Sequence, residues 1–267
     1  MDLFADRMRL ERAVDALAHR GPDDRGLFVA DDRRAFLGHR RLSIIDLTGG
    51  QQPIADETVR IHLCCNGEIY NHRELRAACE ERGHVFRTRT DSESALHLYQ
   101  DDAGGFVTRL NGMFAIAILD EDTGTLTLAR DRHGIKPLYY MQTDDWVCFA
   151  SELKAILELL PRQPALSATA LQHYLRWKYI PPPLTVYEGI RELPPAHWMR
   201  VRRGDAGDRL TVECRPYWVA EFPERGDPAI LADEREALEQ LDTCVRAAVE
   251  RHLESDVEVG SDRKSVV

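Results

Sequence analysis

The sequence MFAIAILDEDTGTLTLAR, residues 113–130, has two runs of apolar and β-branched side chains on either side of a polar turn that contains glycine. This pattern predicts a β-hairpin, and it is the strongest hairpin signal in the chain. GLFVA (26–30) and AFLGH (35–39) predict a second hairpin, and LYYM (138–141) with WVCFA (146–150) predicts a third. The core of the fold is therefore expected to be antiparallel.

Four segments around these hairpins have apolar side chains at helical spacing. They are residues 7–19, the stretch from Asn71 to Gly83, the stretch after Asp91, and residues 151–160. The helices are thus inserted between hairpins and do not alternate one-for-one with strands. This order favours stacked sheets with helices outside over a doubly wound parallel sheet.

Local signals add three finer predictions. Asn71 with Glu74 three residues later is typical of a capping box, and Ser151 is predicted to cap the helix that follows it. The strand VRIHLCC (59–65) runs into Asn66-Gly67, a dipeptide that predicts a turn with positive φ.

Composition excludes several classes of function. The chain has 267 residues with 35 basic and 45 acidic side chains, a net charge of −10, so we expect no nucleic-acid partner. Six cysteines form no CxxC pair and no zinc spacing with histidine, so we expect buried, reduced thiols and no metal site. The charged N-terminus is not a signal peptide, and the longest apolar run, Met113 to Leu119, is too short for a membrane span. We expect a cytoplasmic protein.

The chain divides by composition into four parts. Residues 1–160 contain the hairpins. Residues 161–231 hold ten of the thirteen prolines and are predicted to be a connecting segment between two domains. An amphipathic helix is predicted over about 233–253, within a segment 232–260 that would begin a further domain. The last residues, 261–267, have the sequence SDRKSVV and are expected to be a non-native tail.

Seven motifs occur in an order that resembles the N-terminal glutaminase domain of asparagine synthetases, the class II glutamine amidotransferases. The motifs are HRGPDDRG (19–26), HRRLSIIDL (39–47), NGEIYN (66–71), RTRTDSES (87–94), LNGMFAIAILD (110–120), RDRHGIKPLYY (130–140) and SELKAI (151–156). The resemblance implies an α+β fold, an αββα sandwich of the N-terminal-nucleophile hydrolase type, followed by the start of an α/β synthetase domain. It also implies that glutamine is hydrolysed to glutamate and ammonia, and that the ammonia passes to an ATP-activated aspartate.

The resemblance assigns roles to individual residues. Arg41 matches the arginine that binds the α-carboxylate of glutamine, which suits the planar fork of a guanidinium. Asp91, with Glu68 beside it, matches the acceptor of the α-ammonium. Asn66 and Gly67 match the oxyanion hole, since two neutral donors suit a tetrahedral intermediate. The remaining predicted glutamine-binding residues are Leu42, Ser43, Ile44 and Ile45.

Each assignment has a simpler alternative. Arg41 is a surface charge beside Arg40 on local sequence alone, Asp91 is an N-cap for the following helix, and Asn66 is a turn residue. Asp91 is able to serve in both ways.

The sequence departs from the family at both ends. The family nucleophile is a cysteine at residue one, whose α-amino group is its base. Here the chain opens Met1-Asp2 and the first cysteine is Cys64. The family strand that carries this cysteine lies inside a sheet, so we expect a cavity and an unpaired strand edge in its place. We also expect that the start codon of this sequence was assigned too far downstream. After DVEVG, the family loop for ATP is replaced by SDRKSVV.

We therefore expect a fragment of a glutamine-hydrolysing asparagine synthase that is inactive alone. No cofactor is expected in this fragment, whereas ATP and Mg²⁺ belong to the synthetase domain. The alternatives are an amidotransferase with another acceptor, such as one of an exopolysaccharide or export cluster, a β-lactam-synthetase-like ligase, and a catalytically silent glutamine-binding domain. The expected partners are glutamine, aspartate or another acceptor, and a second copy in a possible homodimer.

Overall fold

The computed structural model describes residues 7–30, 32, 34–203, 209–224, 227 and 233–260. The helices among them are α1 (Arg7–Asp15), α2 (His72–Glu81), α3 (Glu93–Asp101), α4 (Phe106–Arg109), α5 (Leu153–Leu159), α6 (Ala168–Trp177) and α7 (Glu234–His252). The strands are β1 (Asp24–Val29), β2 (Phe36–Arg41), β3 (Ile54–Ala55), β4 (Ile61–Ile69), β5 (Gly112–Asp120), β6 (Thr125–Arg130), β7 (Tyr139–Gln142), β8 (Val147–Ala150), β9 (Ile190–Glu192), β10 (His197–Arg203) and β11 (Leu210–Pro216).

The predicted β5–β6 hairpin is confirmed and lies at the centre of an antiparallel six-stranded sheet with the order β11-β10-β6-β5-β4-β3. One face of β5 carries Phe114, Ile116 and Ile118, and the other carries Ala115, Ala117 and Leu119. All six side chains are buried because both faces of this sheet are covered. The continuous apolar run of β5 follows from this double burial.

A second β layer packs against one face of the six-stranded sheet. It consists of the hairpin β1–β2 and of a three-stranded sheet with the order β8-β7-β9, all antiparallel. Leu37 of β2 and Tyr140 of β7 share one apolar core with Leu128 of β6 and Met199 of β10. Both remaining predicted hairpins are thus confirmed, and the two sheets are stacked.

Helices cover the outer face of each sheet. Cys79 of α2, Leu96 of α3 and Phe106 of α4 belong to a core with Leu63 and Ile118 of the six-stranded sheet. On the other side α1 contacts α5, and Ile156 and Leu160 pack on Ile190 of β9. The order of layers is helix, sheet, sheet, helix, and the predicted αββα sandwich is confirmed.

The predicted boundary at residue 160 does not coincide with the end of the two sheets. Residues 190–192 form the edge strand β9 of the three-stranded sheet, and β10 pairs with β6 over residues 198–202. β11 then pairs with β10. The prolines of 161–231 lie largely between these strands. The segment that was predicted to be a connection between domains therefore also contributes three strands to the sandwich.

Both predicted caps are wrong in their hydrogen bonds, although the helices are where they were predicted. The Asn71 side chain bonds to the backbone of Arg109 and Asn111 and makes no capping bond to α2. The residue before α5 is Glu152, and the Ser151 hydroxyl accepts a bond from Asn66 instead. Gly83 ends α2 with φ +95°, as predicted.

Helix α7 agrees closely with the prediction of 233–253. The Asp233 carboxylate accepts a hydrogen bond from the backbone N–H of Glu236 at 2.9 Å and so caps the first turn. No residue of α7 is buried, and its apolar side chains Leu238, Leu241, Val245 and Val249 are all more than half exposed. Residues 261–267 lie outside the described residues.

Candidate functional site

A cavity of about 460 Å³ lies in the second β layer, between β2 and β8. β4 and β5 of the six-stranded sheet line one side of it, and α1 and α5 line the other. In the described part of the chain β2 pairs only with β1, and β8 only with β7, so both strands turn an unpaired edge to the cavity. The expected cavity and open strand edge are both present.

Eight of the nine residues predicted to bind glutamine line this cavity. They are Arg41, Leu42, Ile44, Ile45, Asn66, Gly67, Glu68 and Asp91. The ninth, Ser43, is not part of the lining, and its backbone N–H donates to Asp23 at 2.8 Å. Residues from three separate motifs are thus brought to one place.

Arg41 is not the solvated surface charge that local sequence allowed, since its side chain is only 7% exposed. Nη1 donates to Asp24 at 3.0 Å, and Nη2 donates to the carbonyl oxygens of Ile45 at 2.8 Å and Asp46 at 2.6 Å. A guanidinium has five N–H donors, so these three bonds fix its orientation and leave donors on Nε and Nη1 for a ligand.

Asn66 and Gly67 do not form the predicted turn, because β4 continues through them to Ile69. A Cβ at Gly67 would lie 1.9 Å from the carbonyl oxygen of Met113 on β5, and φ at Gly67 is +148°. The glycine is thus required by the close approach of β5. Asn66 Nδ2 donates to the Ser151 hydroxyl at 3.3 Å, a long and weak bond that a better acceptor can replace.

Glu68 and Asp91 form an acidic pair in the lining. Burial, and then the negative charge of Asp91, raise the pKa of Glu68. Burial also raises the pKa of Asp91, although the backbone N–H of Ile69 donates to its carboxylate at 2.6 Å. The N-cap residue of α3 is Ser92, and the Asp91 carboxylate accepts from the Thr90 hydroxyl at 3.1 Å as well as from Ile69. A bound cation would relieve the unfavourable charge of this pair.

Sequence reasoning did not single out Lys136, which also lines the cavity. Lys136 follows a tight loop whose backbone N–H groups at His133, Ile135 and Lys136 each donate to the buried Asp131 carboxylate at 3.0 Å. Its positive charge lies close enough to Glu68 to oppose the rise in the pKa of Glu68. The motif RDRHGIKPLYY was the only sequence signal that could have indicated Lys136. Within it, the Asp131 carboxylate and the positive φ of Gly134 shape the loop that positions the lysine.

Gln52 was also missed. Its side-chain carbonyl accepts from the backbone N–H of Cys65 at 2.6 Å, and its amide donates to the Cys65 carbonyl at 3.1 Å. The side chain thereby holds β4 next to Asn66. No local sequence pattern indicates such a pairing.

None of the three cysteines in the cavity lining, Cys64, Cys65 and Cys148, is activated as a nucleophile. Burial raises the pKa of Cys64 and of Cys148 to about 12, and burial also raises the pKa of Cys65 well above its usual range. Cys64 and Cys65 are buried as predicted and Cys148 is partly buried, whereas the expectation of burial is wrong for Cys214 and Cys244, which are exposed. All six cysteines are free.

One group among the described residues has ligand atoms close enough for a metal ion, which sequence spacing did not indicate. Ligand atoms of Glu57, His84 and His97 lie within 4.8 Å of one another. His84 Nε2 already bonds to Asp101 at 2.7 Å, and His97 Nδ1 bonds to Gln100 at 2.8 Å. His97 Nε2 is buried without a hydrogen-bond partner and lies 3.6 Å from the Glu93 carboxylate, and none of the three residues lines the cavity.

No helix in the described ranges is both long enough and apolar enough to cross a membrane.

Comparison with known proteins relates the chain to a family. A family model of the glutamine amidotransferase domain matches residues 3–218. The chain is 34% identical over 258 residues to the glutamine-hydrolysing asparagine synthetase 1 of Bacillus subtilis, covering 96% of this chain and 39% of that protein. It is 34% identical over 251 residues to the amidase chry2 of Gibberella zeae, covering 94% and 36% respectively. The chain thus spans about two fifths of the length of these curated relatives.

Solved structures agree on the fold. A glutamine phosphoribosylpyrophosphate amidotransferase from B. subtilis superposes with a TM-score of 0.55 at 20% identity, covering 78% of this chain and 46% of that chain. The allosteric regulatory enzyme of purine biosynthesis gives the same TM-score and identity, covering 80% and 47%. Identity this low supports the architecture alone.

Proposed function

The chain belongs to the glutamine amidotransferase domain family, and we propose that it is the glutamine-hydrolysing half of an asparagine-synthetase-type enzyme. In the proposed reaction glutamine and water give glutamate and ammonia, and the ammonia goes to an ATP-activated aspartate. The observation that carries the proposal is that eight predicted glutamine-binding residues line a single cavity.

The charges of the cavity suit the two charged groups of a free amino acid. Arg41, whose guanidinium is fixed by Asp24 and two carbonyl oxygens, would bind the α-carboxylate with its remaining donors. Asp91 and Glu68 would receive the α-ammonium, which removes the repulsion that raises the pKa of Glu68. Recognition of both charged groups on the α-carbon leaves the side-chain amide, at the other end of glutamine, free to extend along the cavity.

The amide end of glutamine requires a nucleophile and an oxyanion hole. The Asn66 amide would exchange its weak bond to Ser151 for the developing oxyanion, with the Gly67 N–H as the second donor. The nucleophile would be the thiol of an N-terminal cysteine, whose α-amino group takes the thiol proton as the sulfur attacks the amide carbon. The C–N bond then breaks, ammonia leaves with the proton returned by the α-amino group, and water hydrolyses the thioester to give glutamate and the free thiol. We propose that this thiol reaches the site on a strand between β2 and β8.

A second candidate is a glutamine-binding domain without turnover of its own. The specific observation in its favour is that all three thiols in the cavity lining have a raised pKa. An amidotransferase with an acceptor other than aspartate remains a third candidate, since the acceptor is not chosen in this cavity. ATP, Mg²⁺, a cytoplasmic location and a homodimer belong to the same proposal for the whole enzyme.

Glutamine binding tests the proposal directly. Isothermal titration of the 267-residue protein should show binding of L-glutamine and much weaker binding of D-glutamine. Arg41→Lys keeps the charge but loses the planar fork, so it should weaken binding about tenfold, the effect of one charge-assisted hydrogen bond. Arg34→Ala, on the same hairpin but exposed, is the matched control. If glutamine does not bind, or if Arg41→Lys binds it as tightly as the unsubstituted protein, the proposed site is wrong.

A further inference from the structure

The segment that follows α7 returns to the loop that carries the predicted carboxylate site. The backbone N–H of Asp256 donates to the carbonyl oxygen of Ile44 at 2.9 Å, and the Asp256 carboxylate accepts from the backbone N–H of Asp46 at 2.7 Å. A single residue therefore holds both ends of the tripeptide Ile44–Asp46 from 210 positions away along the chain.

Asp46 connects this contact to the cavity. Its carbonyl oxygen accepts from Arg41 Nη2 at 2.6 Å, and its carboxylate accepts from the backbone N–H groups of Gly49 at 3.0 Å and Arg89 at 2.8 Å. Its backbone is left-handed, with φ +55°, a conformation that aspartate adopts only when neighbouring contacts maintain it. The bond to Asp256 is one of the contacts that hold this conformation.

Two neighbours fix the segment itself. Glu254 accepts hydrogen bonds from His72 Nε2 at 2.8 Å and from Arg73 Nε at 2.7 Å, at the start of α2. The ring of His252 lies 4.3 Å from the ring of Tyr70. Since no residue of α7 is buried, these contacts and those of Asp256 are what tie the end of the helix to the sandwich.

We propose that Asp256 is a positioning residue for the glutamine site. It holds the backbone of Ile44–Asp46 in place, and the carbonyl oxygens of Ile45 and Asp46 in turn hold the Arg41 guanidinium. A displacement of the segment after α7 would thus change the affinity for glutamine. The inference rests on the proposed function only for the identity of the ligand, because the contact between Asp256 and Asp46 is independent of it.

Substitutions at Asp256 separate this role from general destabilisation. Asp256→Ala removes the acceptor and should weaken glutamine binding about three- to tenfold, the range for loss of one hydrogen bond. Asp256→Asn keeps an acceptor oxygen and should restore most of the affinity. Glu258→Ala removes the same charge from an exposed position two residues away and should change nothing.

Amide hydrogen exchange gives a readout that needs no ligand. In Asp256→Ala the Asp46 amide should exchange faster than in the unsubstituted protein, whereas in Asp256→Asn and Glu258→Ala it should not. Unchanged exchange at Asp46, or unchanged glutamine affinity in Asp256→Ala, would overturn the proposal. If the unsubstituted protein binds no glutamine, the proposed function fails, and the Asp46 exchange rate alone decides whether Asp256 positions the loop.

Discussion

Glu68 and Asp91 are the residues whose protonation should control ligand binding. Both have a raised pKa in the folded chain, so folding favours their protonated forms. The stability of the ligand-free chain should therefore decrease as pH rises through their unfolded and then their folded pKa values. Glutamine binding has the opposite dependence, because only the ionised carboxylates attract its ammonium group.

The first prediction at this scale is that glutamine affinity falls on acidification at a higher pH than ordinary carboxyl groups would give. Glu68→Gln removes a carboxyl group whose pKa burial and the neighbouring Asp91 raise, so the fall should move to lower pH while affinity at neutral pH weakens. Isothermal titration across the acidic range measures both effects. Glu74→Gln, an exposed position on α2, is the control. A pH profile that is the same for the protein and for Glu68→Gln would contradict the assignment of the ammonium site.

The residue scale is also where sequence reasoning reached its limit. Arg41, Asn66, Gly67 and Asp91 were assigned through a family resemblance, and the alternatives of surface charge and turn were excluded only by burial and strand pairing. Asp256 was not found, since its partner Asp46 is 210 residues away and nothing in either local sequence indicates the contact. Bonds of this kind depend on tertiary structure, which hydrophobic periodicity does not encode.

At the scale of secondary structure elements, the approach of β4 to β5 is the feature most sensitive to substitution. Gly67→Ala would place a Cβ 1.9 Å from the Met113 carbonyl oxygen, at a residue with φ +148°. We expect a loss of roughly 2–4 kcal/mol in the free energy of unfolding, the range for steric and backbone strain combined. Denaturant unfolding monitored by circular dichroism measures this loss.

Gly83→Ala is the matched control, because it measures the part of the loss that comes from backbone strain alone. Gly83 also has a positive φ, +95°, but nothing lies within 4 Å of its added Cβ. Its substitution should therefore cost only about 1–2 kcal/mol, the strain of a left-handed alanine. Equal losses for the two variants would mean that the close approach of β5 adds nothing, and that Gly67 is retained for its φ alone.

The elements that the sequence predicted best are those with two apolar faces or with apolar residues at a clear helical spacing. The hairpin β5–β6 and helix α7 were placed within one or two residues. By contrast, β10 and β11 were missed because arginines interrupt the apolar residues of HWMRVRR and prolines dominate the surrounding segment. The Arg200 guanidinium lies over the Trp198 ring and donates to the Ala103 carbonyl oxygen at 2.7 Å, so a charged side chain is partly covered and the strand has no simple alternation of apolar and polar residues.

At the scale of the whole molecule, the second β layer is divided into two parts by the cavity between β2 and β8. Both edges facing the cavity are unpaired in the described residues, and the side chains around it come from β4, β5, α1 and α5. An extended segment in this cavity would form backbone hydrogen bonds with β2 on one side and β8 on the other, and it would cover apolar surface. Its end near Asn66 would also be next to the proposed oxyanion site.

The last prediction is that a strand in the cavity between β2 and β8 increases both thermal stability and glutamine hydrolysis. The 267-residue protein should release no ammonia from glutamine above background, since all three thiols in the cavity lining have a raised pKa. Extension at the N-terminus by about 15–20 residues, one strand and its loop, that begin Met-Cys-Gly should raise Tm and establish hydrolysis. The same extension with alanine in place of its cysteine should raise Tm equally but leave hydrolysis at background, because strand pairing does not depend on the thiol. Rapid hydrolysis by the 267-residue protein would contradict the proposed nucleophile. An unchanged Tm in both extended proteins would show instead that the cavity between β2 and β8 does not accept a strand.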